Sequence, residues 1–470
     1  MYKKCQVFTP QDYVERLLDT VNYRQCLYGK RLLENSCGDG NILTVVVQRY
    51  IDDCRNQGFS RTKIRNGLSR DIYGVEIDPE QYEKCLEKLN KILEQNNILS
   101  VNWKLYNDDY LKMKLCEDVD FDFIVGNPPY ITYRELRKAD QLFLKKTFES
   151  CKKGKFDYCY AFIEKSIQKL SYTGKMAYLI PSSIFKTVFG ENLRKILLPN
   201  LVAINDYTQE KVFSEALVKS AIIVLSKTVT DEKIHYVDES SQVDRNMRRD
   251  KLGEKWVFAN ENTGNRRFGD YFKVSHSIAT LCNRAYVIKE WVMDELGNYL
   301  CDGVVVEKEM LRDATSPKLL HSGKTEKIIF PYRYDENHRL LRFDEKQFQK
   351  IFPGTYSYLS RFRSELDKRD SEDSAQWFEY GRSQALSRLD CEKAIISTII
   401  SSEVLVYKIK KDTIPYAGMY IISLTEQYSI DEGIDILMQD RFLRYAQSIG
   451  IHINGNSIRI TSKDIENYRF

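Results

Sequence analysis

The most informative segment of this sequence is Phe121-Asp122-Phe123-Ile124-Val125-Gly126-Asn127-Pro128-Pro129-Tyr130. Its first six residues form a short, mostly apolar run that ends at a glycine, a pattern typical of a buried strand in a parallel sheet. Pro128 and Pro129 have no backbone N–H, so they can neither continue a strand ladder nor start a helix. The chain therefore leaves the carboxyl end of this strand in a stiff, extended turn, and in open α/β sheets ligands bind at that edge.

The polar groups of this turn suit attack by an exocyclic amine whose lone pair is delocalised into a ring, as in adenine or cytosine. The Asn127 side-chain oxygen and the Pro128 carbonyl can accept the two N–H hydrogens of the amine. Acceptors fixed in place favour the charge-developing nitrogen of the transition state over the flat ground state. Pro129 adds rigidity and Tyr130 is expected to stack on the ring. The alternative is a purely structural turn.

Glycines and acids also follow three earlier predicted strands. The first strand leads into Glu34-Asn35-Ser36-Cys37-Gly38-Asp39-Gly40, where Gly38 and Gly40 let the backbone approach a ligand and the next helix offers free N–H groups. The second strand ends at Glu76, which is placed to accept hydrogen bonds from ribose hydroxyls, although a simple capping role is an alternative. The third, Val101–Tyr106, ends beside Asp108 and Asp109. These strand ends together predict one site.

Three local expectations accompany this pattern. Phe8-Thr9-Pro10 predicts a helix with Thr9 as N-cap and Pro10 in the first turn. Asp78-Pro79 predicts the start of another helix. The polar stretch from Cys54 to Arg70 is expected to be a surface loop that lengthens the first crossover, since it separates the glycine turn from Glu76 by more than the roughly 20 residues of a dinucleotide site.

The order of these segments resembles the gamma class of amino-methylating DNA methyltransferases. The matching segments, in family order, are Phe8-Thr9-Pro10, Asn35 to Gly40, Gly74 to Asp78, Asp109-Tyr110-Leu111, Asn127 to Tyr130, Phe156-Asp157-Tyr158, Gly174 to Ser182, and Val212-Phe213-Ser214 followed by Ser220 to Leu225. The similarity covers roughly residues 1–230, and ordered motifs of this kind are more specific than any one of them alone. The family often has proline where this chain has Asn35.

The resemblance implies a role for each matched residue. It implies cofactor contacts, with S-adenosyl-L-methionine as the cofactor, for Thr9, Glu34, Asn35, Cys37, Gly38, Gly40, Glu76, Ile77, Asp109 and Asn127, with Asp108 as an alternative to Asp109. It implies catalytic roles for Asn127, Pro128, Pro129 and Tyr130, and a position for Phe213 over a flipped-out base. No metal site is implied.

Composition sets broad limits. A chain of 470 residues has room for two or three domains, and its net charge of +4 permits a nucleic-acid partner without indicating one. Eleven cysteines without a Cys-x-x-Cys pair are typical of reduced thiols rather than of disulfides or structural zinc. No apolar stretch approaches membrane-spanning length and the N-terminus lacks a signal-peptide core, so we expect a cytoplasmic protein, bacterial or archaeal by its resemblance.

The second half of the chain is expected to recognise DNA. Polar, loop-like sequence after Lys227 predicts a boundary between a catalytic domain, residues 1–230, and a mixed α/β target-recognition domain, residues 231–470. Arginine and glutamine can read guanine and adenine edges. Within and near aromatic segments we expect DNA contacts from Arg284, Tyr380, Arg382 and Gln384, with a solvated helix as the alternative for the charged ones.

These observations predict a class I S-adenosylmethionine-dependent methyltransferase with a doubly wound, seven-stranded α/β sheet. The expected reaction is methylation of adenine N6 in a short sequence of double-stranded DNA after base flipping, within a restriction–modification system. We expect a monomer whose other partner is a separately encoded restriction endonuclease. The alternatives are cytosine N4 transfer, whose enzymes more often have serine where Asn127 stands, transfer to a protein glutamine or RNA guanine, whose enzymes usually lack a large C-terminal domain, and a non-catalytic DNA-specificity module.

Overall fold

The computed structural model describes residues 9–114, 119–208, 210, 212, 219–229, 231–258, 262–295, 297–324, 326–453 and 457–470. The chain divides into two units, Met1–Phe258 and Ala259–Phe470. The boundary therefore lies later than the expected position between residues 230 and 231. The physical reason is that two strands after residue 230 extend the first unit's sheet.

The first unit alternates strands and helices. Its strands are Leu32–Glu34 (β1), Ile72–Glu76 (β2), Lys104–Asn107 (β3), Phe121–Gly126 (β4), Leu170–Pro181 (β5), Leu201–Asp206 (β6), Ser220–Ser226 (β7), Lys233–Asp238 (β8) and Val243–Arg248 (β9). Its helices are Gln11–Thr20 (α1), Asn41–Asn56 (α2), Arg61–Asp71 (α3), Pro79–Gln95 (α4), Lys138–Thr147 (α5), Cys159–Gln168 (α6) and Glu191–Leu197 (α7).

These strands form one nine-stranded sheet in the order β3-β2-β1-β4-β5-β7-β6-β8-β9. Strand β7 is antiparallel to β5 and β6, whereas β1 to β5 pair in parallel. The first seven positions give the doubly wound sheet that was predicted. The predicted count of seven was too low, because β8 pairs in parallel with β6 and β9 pairs with β8 at the same edge.

Alternate side chains of the central strands belong to two different buried clusters, which cover the two faces of the sheet. Leu33, Ile124 and Tyr178 belong to one buried apolar cluster. Their neighbours Leu32, Val125, Ala177 and Leu179 belong to a second cluster. Since successive side chains of a strand point to opposite faces, the two clusters lie on opposite sides of the sheet, as in other doubly wound folds.

Three local expectations need correction. Helix α1 begins at Gln11 with Pro10 at the N-cap position and no side-chain cap, so Thr9 is not the cap. The segment expected to be a loop contains the end of α2 and α3 up to its penultimate residue, because Ser60 caps α3 and Ile64 and Leu68 are buried at helical spacing. Strand β3 begins at Lys104 rather than Val101. The prediction that Pro79 starts a helix is confirmed, with Asp78 accepting from two backbone N–H groups of α4.

The second unit is mixed α/β with small sheets. Its strands are Phe272–His276 (β10), Val287–Ile288 (β11), Val292–Met293 (β12), Tyr299–Cys301 (β13), Val304–Val306 (β14), Leu311–Thr315 (β15), Glu326–Ile329 (β16), Arg333–Tyr334 (β17), Leu340–Leu341 (β18), Lys393–Ile396 (β19), Ile399–Ile400 (β20), Val406–Ile409 (β21), Ile414–Pro415 (β22), Met419–Ser423 (β23), Ile451–His452 (β24) and Ile458–Arg459 (β25). Its helices are Asn283–Tyr286 (α8), Pro317–Ser322 (α9), Glu345–Ile351 (α10), Pro353–Ser360 (α11), Arg363–Leu366 (α12), Ile430–Leu437 (α13), Asp440–Ile449 (α14) and Ser462–Glu466 (α15).

Two four-stranded sheets organise this unit, in the orders β10-β23-β19-β21 and β11-β16-β15-β22. They contribute to two separate buried clusters. None of the helices that the structure describes in either unit is long and apolar enough to cross a membrane.

Candidate active site

The carboxyl ends of β1, β2 and β3 are joined by backbone hydrogen bonds. The Cys37 N–H donates to the Val75 carbonyl at 3.0 Å, and the Asp108 N–H donates to the Glu76 carbonyl at 3.1 Å. The side-chain amide Nδ2 of Asn107 also donates to the Glu76 carbonyl, at 2.8 Å. The turn after each strand is therefore held against the turn of its neighbour.

Glu76 is the central group of this edge. Its Oε2 accepts the Gly38 N–H at 2.8 Å and its Oε1 accepts the Asp78 N–H at 2.8 Å. The side chain is buried, and burial raises the pKa of its carboxyl above the ordinary value despite these bonds. Each carboxylate oxygen retains a further lone pair, so the capping role and a ligand-binding role are compatible.

The glycine turn can only be built with glycine at Gly40. Its φ of +86° lies in the left-handed region, and a Cβ there would lie 2.7 Å from Cys85 Sγ. Gly38 also has a positive φ of +50°. The side chain of Cys37 is buried, so what this turn offers a ligand is its backbone.

Glu34 and Asn35, expected at the cofactor, are both 2% exposed. Burial raises the pKa of the Glu34 carboxyl well above its ordinary value, and its Oε2 has no hydrogen-bond partner within the part of the chain that the structure describes. The Asn35 Nδ2 donates to Ser166 Oγ at 2.8 Å and to Tyr178 OH at 2.5 Å. The side chain of Asn35 thus supports β1 from the interior, a role that the family's proline could not perform.

After the third strand, the adjacent residues Asp108 and Asp109 have different surroundings, which the sequence could not distinguish. Asp108 is exposed, and its Oδ1 accepts the Asp109 N–H at 2.7 Å. Asp109 accepts the Leu111 N–H at 3.0 Å and pairs with Lys112 at 3.1 Å. Asp109 is therefore occupied in its own turn, and Asp108 is the better placed of the two to meet a ligand. Ile77 is 53% exposed at this edge.

The Asn127–Tyr130 turn is fastened to the glycine turn and to β5. The Ser36 hydroxyl donates to the Asn127 carbonyl at 3.3 Å. The Tyr130 hydroxyl donates to the Leu179 carbonyl at 2.8 Å, and its half-buried ring packs against both apolar clusters. Asn127 and Pro129 are half-buried, and Pro128 is buried. Phe213, expected over the base, lies outside the described residues, and Thr9 is buried just before α1.

Asp157 holds the chain immediately after Tyr130. The Ile131 carbonyl accepts the Tyr158 N–H at 2.9 Å, and Thr132 forms an antiparallel bridge with Asp157. The Asp157 carboxylate accepts the Cys159 N–H at 3.1 Å and also bonds the Ile131 backbone. Burial raises the pKa of Asp157 to about 6, against these hydrogen bonds. Sequence reasoning matched Asp157 to a family segment but gave it no role.

Lys165 holds the turn that follows Asp108 and Asp109, a role that the sequence did not predict. Its Nζ donates to the Met113 carbonyl at 2.9 Å and to the Tyr110 carbonyl. Burial lowers the pKa of Lys165. Lys165 and Ser36 each act on a segment 50 or more residues away in sequence, so no local pattern could have revealed their roles.

The second unit places the four expected DNA-binding residues very differently. Tyr380 is 1% exposed, and its hydroxyl donates to the Ile329 carbonyl at 2.6 Å, so its side chain cannot contact DNA in this structure. The expectation for Tyr380 is corrected on that ground. Gln384 is exposed. Arg382 pairs with the fully exposed Asp370 at 3.3 Å. Arg284 is 78% exposed beside Glu365.

Comparison with known proteins agrees with this reading of the first unit. Residues 57–213 match the family model described as Eco57I restriction-modification methylase. The chain is 25% identical over 413 residues to the Type II restriction enzyme and methyltransferase RM.Eco57I of Escherichia coli, covering 72% of this chain and 41% of that protein. It is 23% identical over 435 residues to the Type II methyltransferase M.BstVI of Geobacillus stearothermophilus, covering 79% of this chain and 73% of that one.

Among solved structures, the Type IIL restriction-modification enzyme MmeI in complex with DNA aligns with a TM-score of 0.61 at 13% identity. The alignment covers 97% of this chain and 64% of MmeI. The chain thus spans less than half of RM.Eco57I and less than two thirds of MmeI. Its first unit has the class I S-adenosylmethionine-dependent methyltransferase fold, its sequence is similar to restriction–modification DNA methyltransferases, and fold and family together imply S-adenosylmethionine as the methyl donor.

Proposed function

We propose that this protein transfers a methyl group from S-adenosylmethionine to the N6 amine of adenine in a short sequence of double-stranded DNA, as the modification activity of a restriction–modification system. One observation carries the proposal. The Asn127 turn meets the glycine turn and the acids after β2 and β3 at one sheet edge, and the Ser36–Asn127 hydrogen bond of 3.3 Å joins the two halves. A cofactor and an amine bound there are held close together, which is the main source of rate in a two-substrate transfer.

The residues at this edge fit the proposed cofactor. The positive φ of Gly38 and Gly40 shapes a turn whose backbone can approach a ligand, and Glu76 can accept hydrogen bonds from ribose hydroxyls. The exposed face of Ile77 suits a flat adenine ring, and Asp108 can accept its amine hydrogens. The buried Glu34 Oε2 has no hydrogen-bond partner among the described residues, and the positive charge of an ammonium group beside it would favour the carboxylate form. When bound, the cofactor supplies an electrophilic methyl group.

We propose that the Asn127–Tyr130 turn, called the catalytic turn below, acts on the target amine. We assign Asn127 Oδ1 and the Pro128 carbonyl as acceptors of its two hydrogens, with Pro129 fixing their spacing. We assign base stacking to Tyr130, which is anchored through Leu179, and, from the family resemblance, to Phe213. Extrusion of the base from the duplex costs a few kcal/mol. No strong base is needed, because the methylated aminium is acidic and loses its proton to water.

The second unit, Ala259–Phe470, is proposed to recognise the target sequence. A catalytic unit that reads only the extruded base treats every adenine alike, so discrimination must come from contacts to neighbouring base pairs. We assign DNA contact to the exposed Gln384 and Arg284 and to the half-buried Arg382. We propose that the protein acts as a monomer alongside a separately encoded restriction endonuclease.

The test is to label DNA with methyl-tritiated S-adenosylmethionine, digest it and identify the labelled nucleoside. We expect N6-methyladenine. Label confined to N4-methylcytosine would replace the proposal by its nearest alternative, cytosine N4 transfer, which the same acceptors can serve. Absence of label from DNA would overturn the proposal as a whole.

A further inference from the structure

Residues 134–155 carry more net positive charge than the chain as a whole. This stretch contains eight basic and three acidic residues, a net charge of +5, whereas the whole chain of 470 residues carries +4. The rest of the chain is therefore close to neutral. The stretch includes α5 and the loop that follows it, and we call it the 134–155 surface.

The acids of this surface are already occupied by near neighbours. Asp140 pairs with Arg137 at 2.8 Å and with Lys112 at 3.6 Å. Glu135 accepts from the Thr132 N–H at 3.0 Å and from its hydroxyl at 2.7 Å. Glu149 pairs with Lys152. These acids therefore do not neutralise the remaining cations.

Six cations of the surface make no ion pair within 4 Å in the part of the chain that the structure describes. Lys145 is half-buried with its Nζ over the Tyr133 ring, whereas the other five, Arg134, Lys138, Lys146, Lys153 and Lys155, are exposed and available to a ligand. Glu191 is a more distant acidic neighbour of Lys153. A surface that keeps this many like charges in water, at a cost in mutual repulsion, is complementary to a polyanion.

The surface is presented by a rigid support rather than by a loose loop. The buried Glu164 carboxylate accepts the Glu149 N–H at 3.0 Å and the Ser150 N–H at 2.8 Å. Leu144, Phe148 and Cys151 are buried in the core beneath it. Gly154 has a φ of +73°, and a Cβ there would lie 2.0 Å from the Phe189 ring, so only glycine allows this loop to pack on Phe189.

Both ends of the surface are fixed beside the catalytic turn. The chain enters it directly after Tyr130 and returns at Asp157, where Thr132 and Asp157 form an antiparallel bridge. The Ile131 carbonyl accepts the Tyr158 N–H at 2.9 Å at the same place. The cations are therefore carried by an excursion of the chain that begins and ends at the site proposed for the extruded base.

We propose that the 134–155 surface binds the sugar–phosphate backbone of the DNA next to the extruded base, an inference that rests on the proposed function. Four of its five available cations are lysines, which hold phosphates as point charges and lack the fork that reads a guanine edge. The surface therefore supplies affinity without sequence preference, and the second unit supplies the preference. Its contribution to binding depends on salt, because neutralised phosphates release counterions.

The test compares two triple variants of the full chain. Lys146→Gln, Lys153→Gln and Lys155→Gln together remove three charges from the surface. The matched control, Lys91→Gln, Lys175→Gln and Lys233→Gln, removes three exposed lysines from elsewhere in the same unit. Lys91 lies in α4, Lys175 in the first half of β5 and Lys233 at the start of β8. Binding to two unrelated duplexes of equal length is measured over a range of potassium chloride concentrations, and S-adenosylhomocysteine affinity is measured beside it.

For the surface variant we expect the slope of log affinity against log salt to become shallower by about 2 to 3, or roughly 0.9 for each lost phosphate contact. Affinity at 0.15 M salt should fall about tenfold or more for both duplexes, with S-adenosylhomocysteine affinity unchanged. The control should keep the wild-type slope. A wild-type slope in the surface variant, an equal loss in the control, or a loss for one duplex alone would overturn the proposal.

The outcomes separate this inference from the proposed function. If the wild-type protein methylates DNA while the surface variant keeps its slope, the surface assignment fails and the function stands. If the wild-type protein binds DNA through this surface but transfers no methyl group, the function fails and the surface assignment stands. A wild-type protein that binds no DNA overturns both.

Discussion

The turn Asn127–Tyr130 and the loop Trp377–Gln384 look similar as sequence, since each sets aromatic residues beside polar ones at a chain reversal. In the structure they differ. The turn stands at the carboxyl end of β4, where three other strand ends bring glycines and acids to the same edge. The middle of the loop is buried, with Glu379 at 0% and Tyr380 at 1% exposure. Position after a parallel strand indicates a site, whereas residue composition alone does not.

Two arginines explain why the loop is turned inward. Arg369 donates to the carbonyls of Trp377 at 2.7 Å, Glu379 at 3.0 Å and Thr280 at 2.7 Å. Arg342 donates its Nε to Glu379 Oε1 at 2.7 Å, with a second bond to Oε2. These charged groups form the frame of the loop. At its end Gln384 is exposed and Arg382 is half-buried, with its side chain 37% exposed.

The largest effect is expected from Glu379→Ala, which breaks this frame. Loss of one partner of a buried ion pair costs about 3–5 kcal/mol, and we expect the low end because the Arg342 side chain is 38% exposed. Hydrogen–deuterium exchange should rise in residues 366–384 and stay unchanged in residues 121–131. The matched control is Glu365→Ala, whose exposed pairing with Arg284 is worth less than about 1 kcal/mol. Equal effects of the two changes would contradict a framed loop.

The next largest effect is expected on cofactor affinity, from a change at Glu76. Glu76→Ala should weaken binding of S-adenosylhomocysteine by about 1.5–3 kcal/mol, the usual worth of hydrogen bonds to a charged group, and should hardly change DNA affinity measured without cofactor. Isothermal titration calorimetry measures the first quantity, and Glu80→Ala, on the exposed first turn of α4, is the control. Unchanged cofactor affinity would leave Glu76 only its bonds to Gly38 and Asp78.

A comparable or smaller effect is expected from Arg382→Ala at the outward end of the loop. It should cost about 1–3 kcal/mol at the recognised sequence and relax preference at one base pair. Asp370→Ala, which removes the exposed partner of Arg382 but leaves the arginine in place, should keep that preference. Methylation of the preferred site is compared with its single-base variants. If Arg382→Ala keeps both rate and preference, the loop does not read DNA.

The smallest effect is expected from Asp157→Asn. The folded-state pKa of Asp157 is about 6, above the ordinary value, so the carboxylate that accepts the Ile131 and Cys159 N–H groups is lost as pH falls through 6. The wild-type transfer rate should therefore decline below about pH 6. The variant keeps one amide oxygen as acceptor and cannot titrate, so this limb of its pH profile should flatten while its rate at pH 8 stays within about tenfold. An unchanged profile would show that Asp157 does not position the turn.

Much of the first unit could be predicted because its signals are local. A short apolar run, a glycine and two prolines predict β4 and its turn, and the same reasoning placed β1 and β2. The signal for α3 was also present, since Ser60 and the spacing of Ile64 and Leu68 are typical of a capped helix. Strands β8 and β9 were missed because they lie at the end of the sheet, β9 as its edge strand, where many of their residues are exposed and the sequence is polar.

The supporting residues could not be predicted, because their partners are distant in sequence. Ser36 bonds to Asn127 across 91 positions, and Lys165 reaches Met113 across 52. The same limit applies to Tyr380, whose burial depends on Ile329 and Tyr332. The distinction between Asp108 and Asp109 is different, because it depends on the local pairing of Asp109 with Lys112 three residues later.

We propose that Asn127 acts on the target amine and not on the fold or on cofactor binding. Single-turnover methyl transfer to DNA with Asn127→Ala, together with calorimetry of S-adenosylhomocysteine binding, tests this role. We predict a rate loss of at least about a hundredfold, since one placed acceptor is worth roughly 3 kcal/mol in the transition state, with cofactor affinity nearly unchanged. A variant that transfers methyl groups at the wild-type rate would contradict the account and leave the turn a structural element.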